Sequence, residues 1–452
     1  MIRYLSNNFN KLIIFINTGK VFVTEYIFYS SNFFKLMNLI YTGIVFATEY
    51  IYYLLGRDKD TCIKNVIDKL SNLNILYVKI LQGLSTNTYF SPNILNYINM
   101  YTDAVPYTNK DIDTSFMTNI NDINCNDNEE LLCLTSEVPI KSGVIALIYE
   151  GMIGNQKVVI KVKKNNIYNK LLQSLDEIDI FLKIISFFPY IKYLNTSNII
   201  KENRKYLLEQ TDFIMEINNI ENVYNYFKNS EDFVIPKVYR KYTEKYPNMI
   251  VMDYINGNKI NNLLNGDKEE YSNLVAKFGL ESVLKHSIYH GDLHPGNILF
   301  INENGKKKLG ILDYGIIGNI TIEEKNLFFD FLFELSIKKN DQRAIELLLT
   351  KLIEPKSNID ILTNEQYNCL FEKLRYIIIN TLNAKKGSSS LKPEDLYNIN
   401  KILHTYNLYI TNTFSRLEIA IAISESVCNE LSCNSSYLEC IKENLKELFE
   451  MY

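Results

Sequence analysis

The sequence predicts an α+β protein of two lobes, one small and strand-rich and one larger and helical, behind a helical N-terminal extension. Three observations carry that reading. Apolar runs at Gly143–Tyr149 and Val158–Val162 flank a Gly154-Asn155 turn, the pattern of a strand hairpin. A second pair of short apolar runs, Ile298–Ile301 and Leu309–Leu312, flanks Asn304-Gly305, the strongest short hairpin signal. Beyond Asp313 the spacing of apolar residues is helical to the end. The boundaries predicted are an apolar helical segment at 1–57, a helical extension at 58–138, a small lobe at 139–256 and a large lobe at 257–452.

A chain of 452 residues with 47% hydrophobic content has room for a two-lobed core plus an extension. Its formal charge of −4 gives no general attraction to nucleic acid or anionic lipid. The seven cysteines (Cys62, Cys125, Cys133, Cys369, Cys428, Cys433, Cys440) are odd in number and form no CxxC pair. That favours an intracellular, reducing compartment without structural zinc.

The N-terminus holds an internal repeat: Lys11–Ile27 reappears 24 residues later as Lys35–Ile51. Each copy has a wide apolar face at helical spacing. Gly19 and Gly43 would each cost a helix interior about 1 kcal/mol. A helical hairpin docked on the protein, an interfacial membrane anchor and a spanning pair compete, with spanning disfavoured by Glu25 and Glu49. No cleavable signal is read, because the apolar segment is followed by its own duplicate.

Residues 58–135 read as mostly helical, with a polar loop from about Thr108 to Glu130. In the small-lobe hairpin, Lys161 stands among apolar neighbours and at the centre of a basic cluster, Lys157 to Lys164. A strand-end lysine snorkelling to solvent and a phosphate-contacting lysine are both compatible with that setting. Helices follow through about residue 228. Val251–Gly257, containing Asp253, has the character of a hinge where an adenine could bond to backbone. A polar gap lies near Lys385 to Lys392.

The chemistry concentrates in HGDLHPGN (His290–Asn297) and Asp313-Tyr-Gly315. A hairpin folds back on itself, so Asn297 and Asp313 should emerge side by side at its open end. Hard oxygen ligands there suit Mg²⁺ held against phosphates, with Asp292 placed to orient or deprotonate an acceptor. Either fragment alone would be a common polar loop. The two together, bracketing a hairpin, indicate a kinase-like phosphotransferase core. His290 and His294 sit in a loop with no helical spacing to align the rings, so both read as structural.

Together these residues resemble the UbiB/AarF family of atypical kinases, from about Leu76 to the C-terminus. Val158–Val162 is similar to the family's VAVKV strand, which gives Lys161 the phosphate-contacting role. Asp212–Asn219 resembles its DFxxEAxN helix, which makes Glu216 the implied ion-pair partner of Lys161. Tyr77–Ser85, followed by Tyr101–Pro106, is similar to the hallmark KxGQ helix and its following segment, so Lys79 and Gln82 carry over to the two polar motif positions. In the family this extension covers the place of a protein substrate. Ser142, Gly143 and Val144 match the phosphate-covering loop. Departures are Leu81 for the motif glycine, Gln210 for the first acid of ExD, and Val144 and Leu147 for polar loop residues. The resemblance implies ATP (or ADP) and Mg²⁺ as ligands, with Asp292, Lys161 and Glu216 catalytic, Lys161, Ser142, Gly143, Val144 and Asp253 on the nucleotide, and Asn297 and Asp313 on the metal. It also implies a link to isoprenoid-quinone or other lipid metabolism and a membrane surface or prenyl lipid as partner. The alternatives are an aminoglycoside- or choline-kinase-like phosphotransferase, which shares HGDLHPGN, and a nucleotide-binding pseudokinase scaffold.

Overall fold

The computed structural model describes residues 32–78, 91, 93–95, 97–98, 105–126, 131–185, 204–205, 207–382, 393–431 and 437–450. The chain divides into two compact units interleaved in sequence. One comprises Met1–Asn126, Leu134–Glu150 and Lys161–Thr211, the other Asp127–Cys133, Gly151–Ile160 and Asp212–Tyr452. This division groups Asp212–Asn256 with the helical C-terminal part, whereas the sequence boundary falls at 256/257.

The first unit opens with α1 (Asn32–Leu54), α2 (Lys59–Ser71) and α3 (Ser115–Asn126). Helix α1 contains the second repeat copy; the first copy lies outside the described residues. It packs against α2 and against α4 (Ile167–Ile185). Val45 is fully buried, and Glu49 turns inward to meet Lys69, Arg57 and Asn65. Burial alone would raise the Glu49 carboxyl, but the hydrogen bonds and charges of these partners hold it below its usual value. The second copy thus packs on the protein along one face, while Ile40, Phe46, Tyr50, Ile51, Tyr53 and Leu54 on its other face are exposed. No described helix is long and apolar enough to cross a membrane.

Helix α3 corrects the reading of 108–130 as a loop. Phe116 and Ile120, one helical turn apart, are buried at 0% and 4% exposure, and Phe116 meets the Tyr149 ring at 4.9 Å. Packing of an apolar face against a partner surface, more than local propensity, stabilises such a helix. In the same unit β2 (Lys141–Ser142) pairs antiparallel with β3 (Ala146–Ile153).

The second unit is organised around α7 (Lys268–His286), whose last turn leads through Ser287, in the left-handed region, into β7 (Ile288–His290). The hairpin of β8 (Ile298–Glu303) and β9 (Lys306–Ile311) forms in the register expected, from Ile298↔Ile311 to Glu303↔Lys306. Asn304 and Gly305 turn it with φ of 54° and 87°, the mirror-image turn that matches strand twist. Among the described residues beyond Asp313 the elements are helices and three short strands, β10 (Ile317–Asn319), β11 (Ile353–Glu354) and β12 (Tyr409–Ile410). Strand β10 pairs with β7, and β11 with β12. Helix α13 (Asn412–Glu430) and helix α14 (Tyr437–Glu450) pack on α7. The polar gap at 385–392 lies outside the described residues.

Candidate active site

Strand β7 delivers His290 and releases the chain into the Gly291–Asn297 loop. Gly291 is there because a Cβ would meet the Ile316 side chain at 2.5 Å, and Gly291 N donates to Ile316 O at 2.9 Å. The buried His290 imidazole joins the two halves of the site. Its Nδ1 accepts from Asp292 N at 3.2 Å, so its proton resides on Nε2, which donates to the Asp313 carbonyl at 2.6 Å. Burial pushes the imidazole below its ordinary pKa and outweighs the opposing pull of the Asp313 carbonyl and of both carboxylates, which keeps the ring in that neutral form.

Asn297 is placed by the hairpin's open end. Leu312 N donates to Asn297 O at 3.0 Å, and the Asn297 side-chain nitrogen donates to Asp292 O at 2.9 Å. With its nitrogen committed, the amide presents its oxygen. Asp313 Oδ1 accepts from Gly315 N at 2.9 Å. The structure thus brings Asp292, Asn297 and Asp313 to one place, as their spacing predicted. A hard-oxygen pair fits Mg²⁺, which takes one or two protein ligands and completes its shell with phosphate and water. No cluster of three or more His, Cys, Asp or Glu suited to a metal occurs among the described residues. His294 Nδ1 accepts from Gly296 N at 3.0 Å.

Tyr314, fully buried, donates to Ile311 O at 3.1 Å, and its own carbonyl accepts from Asn219 Nδ2 at 3.0 Å. That second bond ties the Asp313-Tyr-Gly315 segment to α5 (Phe213–Phe227), the helix carrying Glu216. Asp212 caps α5 by accepting from Ile214 N and Met215 N. Glu216 is 1% exposed.

Asp253, at the end of β6 (Met249–Asp253), has its carboxylate engaged by Gln156 at 2.8 Å, Tyr239 at 2.9 Å and Lys237 N at 3.2 Å. A nucleotide role for Asp253 is confined to its backbone. After it, Asn258 and Phe300 exchange two backbone bonds at 2.8 Å. Gly257 permits this approach, since a Cβ would meet Leu299 at 2.9 Å.

In the first unit, Lys161 lies in β4 (Gln156–Lys163) at 8% exposure and Ser142 at 5%. Val144 packs its side chain among Ile67, Val78, Ile94, Ile98 and Val105, so only its backbone can serve a ligand. Gly143 N donates to Ala146 O at 2.9 Å. Lys79 and Gln82 lie outside the described residues. Sequence reasoning missed Lys164, which is 4% exposed; the only signal was its place in the basic cluster.

A family model described as the ABC1 atypical kinase-like domain matches residues 102–348. The chain is 25% identical over 282 residues to the "Probable serine/threonine-protein kinase abkB" of Dictyostelium discoideum, covering 59% of this chain and 40% of that protein. It is 29% identical over 203 residues to a "Probable protein kinase UbiB" of Blochmanniella pennsylvanica, covering 42% of this chain and 36% of that protein. It thus spans less than half the length of each of these relatives. Among solved structures, the complex of Rv3197 with erythromycin from Mycobacterium tuberculosis aligns with a TM-score of 0.49 and 15% identity, over 75% of this chain and 83% of that one.

Proposed function

This chain belongs to the ABC1 atypical kinase-like family, and from that premise we propose that it binds Mg–ATP and transfers or hydrolyses the terminal phosphoryl group. The observation that carries the reading is the linked set His290, Asp292, Asn297 and Asp313, joined by hydrogen bonds of 2.6 to 3.2 Å. Asn297 and Asp313 would hold Mg²⁺, which neutralises charge on the transferring phosphoryl group when bound. Asp292 acts on the acceptor hydroxyl or on water. Lys161 and Glu216 take the phosphate-contacting and ion-pairing roles that their motifs assign. Steady-state ATP turnover with Mg²⁺ tests this: activity that Asp292→Asn abolishes is expected, and equal turnover in wild type and variant would refute it.

The acceptor belongs to lipid chemistry in this reading, at a membrane surface or on a prenyl lipid. Support comes from the uncharged, aromatic-rich outer face of α1 (Phe46, Tyr50, Tyr53), the composition that settles at a bilayer interface. Co-sedimentation with neutral phosphatidylcholine vesicles, lost in Phe46→Asp/Tyr50→Asp, is the expected result. Vesicle binding that the double substitution leaves intact would remove this face from consideration.

A further inference from the structure

The Ser142–Val144 turn is fastened at several points within the first unit. Val105 N donates to Ser142 O at 2.9 Å, and Lys164 N donates to Ile145 O at 2.8 Å. A backbone bond of that kind sets the two chain segments about 5 Å apart, so Lys164, the residue after β4, stands beside the turn. Asn165 N then donates to Asp111 O at 2.9 Å. Lys164 is therefore at the junction of the turn, the end of β4 and the Asn109–Asp111 3₁₀ turn.

Two polar side chains in this junction make no hydrogen bond among the described residues. The Lys164 side chain, 4% exposed, makes neither a hydrogen bond nor an ion pair. The hydroxyl of Ser142, a residue 5% exposed, is likewise unsatisfied. The acid that Lys164 senses is already occupied: Asp111 binds Lys170 at 2.6 Å and the Thr108 amide at 2.8 Å. The charged groups facing Lys164 are Asp111 from the 3₁₀ turn and Lys170 from α4, while β2 brings Ser142 and the β2–β3 connection brings Ile145. A partly desolvated ammonium with no protein partner is stabilised when an anion arrives.

We propose that Lys164 is a second phosphate-positioning lysine, answering the nucleotide's negative charge from beside the Ser142–Val144 turn and taking up a proton as the nucleotide binds. The inference rests on the Mg–nucleotide reading above and adds to it a residue that the family motifs do not assign. Burial, reinforced by Lys170 and opposed by Asp111, brings the free ammonium down to about 8. A nearby polyphosphate raises it again. Binding is then tightest and flat below pH 7, weakens as the free protein loses this proton around pH 8, and levels off above the bound-state value. Each unit of that rise corresponds to about a tenfold change in affinity.

The test is calorimetric titration of the full chain with Mg–ADP at pH 6.5 to 9.5, in HEPES and in Tris, whose ionisation enthalpies differ. Wild type should take up a fraction of a proton at pH 8 and lose affinity toward pH 9. Lys164→Met should bind more weakly at pH 7, with no proton uptake and a flat profile. Lys164→Arg, which stays charged, should keep the pH 7 affinity and also be flat. Methionine removes a buried charge at similar volume, and melting of both variants checks the fold. Wild-type binding with no proton uptake, or uptake undiminished in Lys164→Met, overturns the inference and leaves the nucleotide reading standing. No Mg–ADP binding at any pH overturns both.

Discussion

His290 Nε2–H donates to the Asp313 backbone carbonyl across 2.6 Å, while the same ring accepts from Asp292 N on its other nitrogen. One neutral imidazole therefore links Asp292 to Asp313. Both ring nitrogens are engaged by backbone groups, so in the proposed reaction His290 is a positioning residue. Its burial against Phe278 and Tyr314, at ring-centroid separations of 6.5 and 5.9 Å, fixes its plane.

His290→Ala should accordingly lower kcat more than it raises the KM for Mg–ATP, by roughly ten- to a hundredfold, the scale of a misplacement near 1 Å. It should also destabilise the fold by about 2–4 kcal/mol, since a cavity opens and buried backbone groups lose partners. Steady-state kinetics paired with urea melts separates the two effects. A destabilised variant with undiminished kcat at low temperature would show that the bridge serves only folding.

Metal binding has its own expected signature. Mg–ATP at about a hundred times its dissociation constant should add roughly 2.7 kcal/mol of stability, read as a rise of a few degrees in Tm. Asp313→Ala should lose the Mg²⁺-dependent part of that rise, and Asn297→Ala should reduce it. A Tm shift in Asp313→Ala equal to wild type would exclude Asp313 as a metal ligand.

The legible parts of this chain were those encoded locally. Asn304-Gly305 between two apolar runs fixed the β8–β9 register, and that register alone put Asn297 beside Asp313. Helix α3 was hidden because Phe116 and Ile120, the buried residues among its described side chains, stand among mostly polar neighbours; Phe116 packs against the Tyr149 ring. The His290 bridge was hidden for a related reason. Its acceptor is a main-chain carbonyl 23 residues away, and no residue type at Asp313 advertises that bond. Asp253 and Val144 were identified by position, yet their side chains are engaged in the hinge and in a hydrophobic cluster. Lys164 drew notice only as part of a basic run, since burial is a property of the packed unit and not of the run.

Gly318→Ala addresses how the strand pair supports this site. Strand β10 pairs with β7 so that Gly318 faces Tyr289, and a Cβ at Gly318 would fall 2.0 Å from the Tyr289 ring. The ring must move, and with it the strand bearing His290. The expected cost is about 1–3 kcal/mol, with a fall in kcat that a second substitution, Tyr289→Ala, partly reverses by vacating the space. Failure of the double variant to recover activity would mean that the ring, and not the collision, is what the site requires.

Helix α13 gives the stability a pH dependence of definite sign. Burial raises the Glu418 carboxyl to about 7 from its usual 4.5. Below pH 4.5 both folded and unfolded chains hold this proton, and its contribution to stability is complete. Between 4.5 and 7 the unfolded chain has released the proton while the folded chain keeps it, so stability falls as pH rises; above 7 the loss is complete. The span of that loss is up to about 3 kcal/mol. Because α13 packs on α7 and β7, the strain at high pH falls on the elements behind His290. Glu418→Gln stays neutral throughout, so urea melts should show wild type and variant nearly equal at pH 4.5. The variant should be more stable by about 1–3 kcal/mol at pH 8. A stability difference that does not change between those two pH values would mean that Glu418 ionises in the folded chain without penalty.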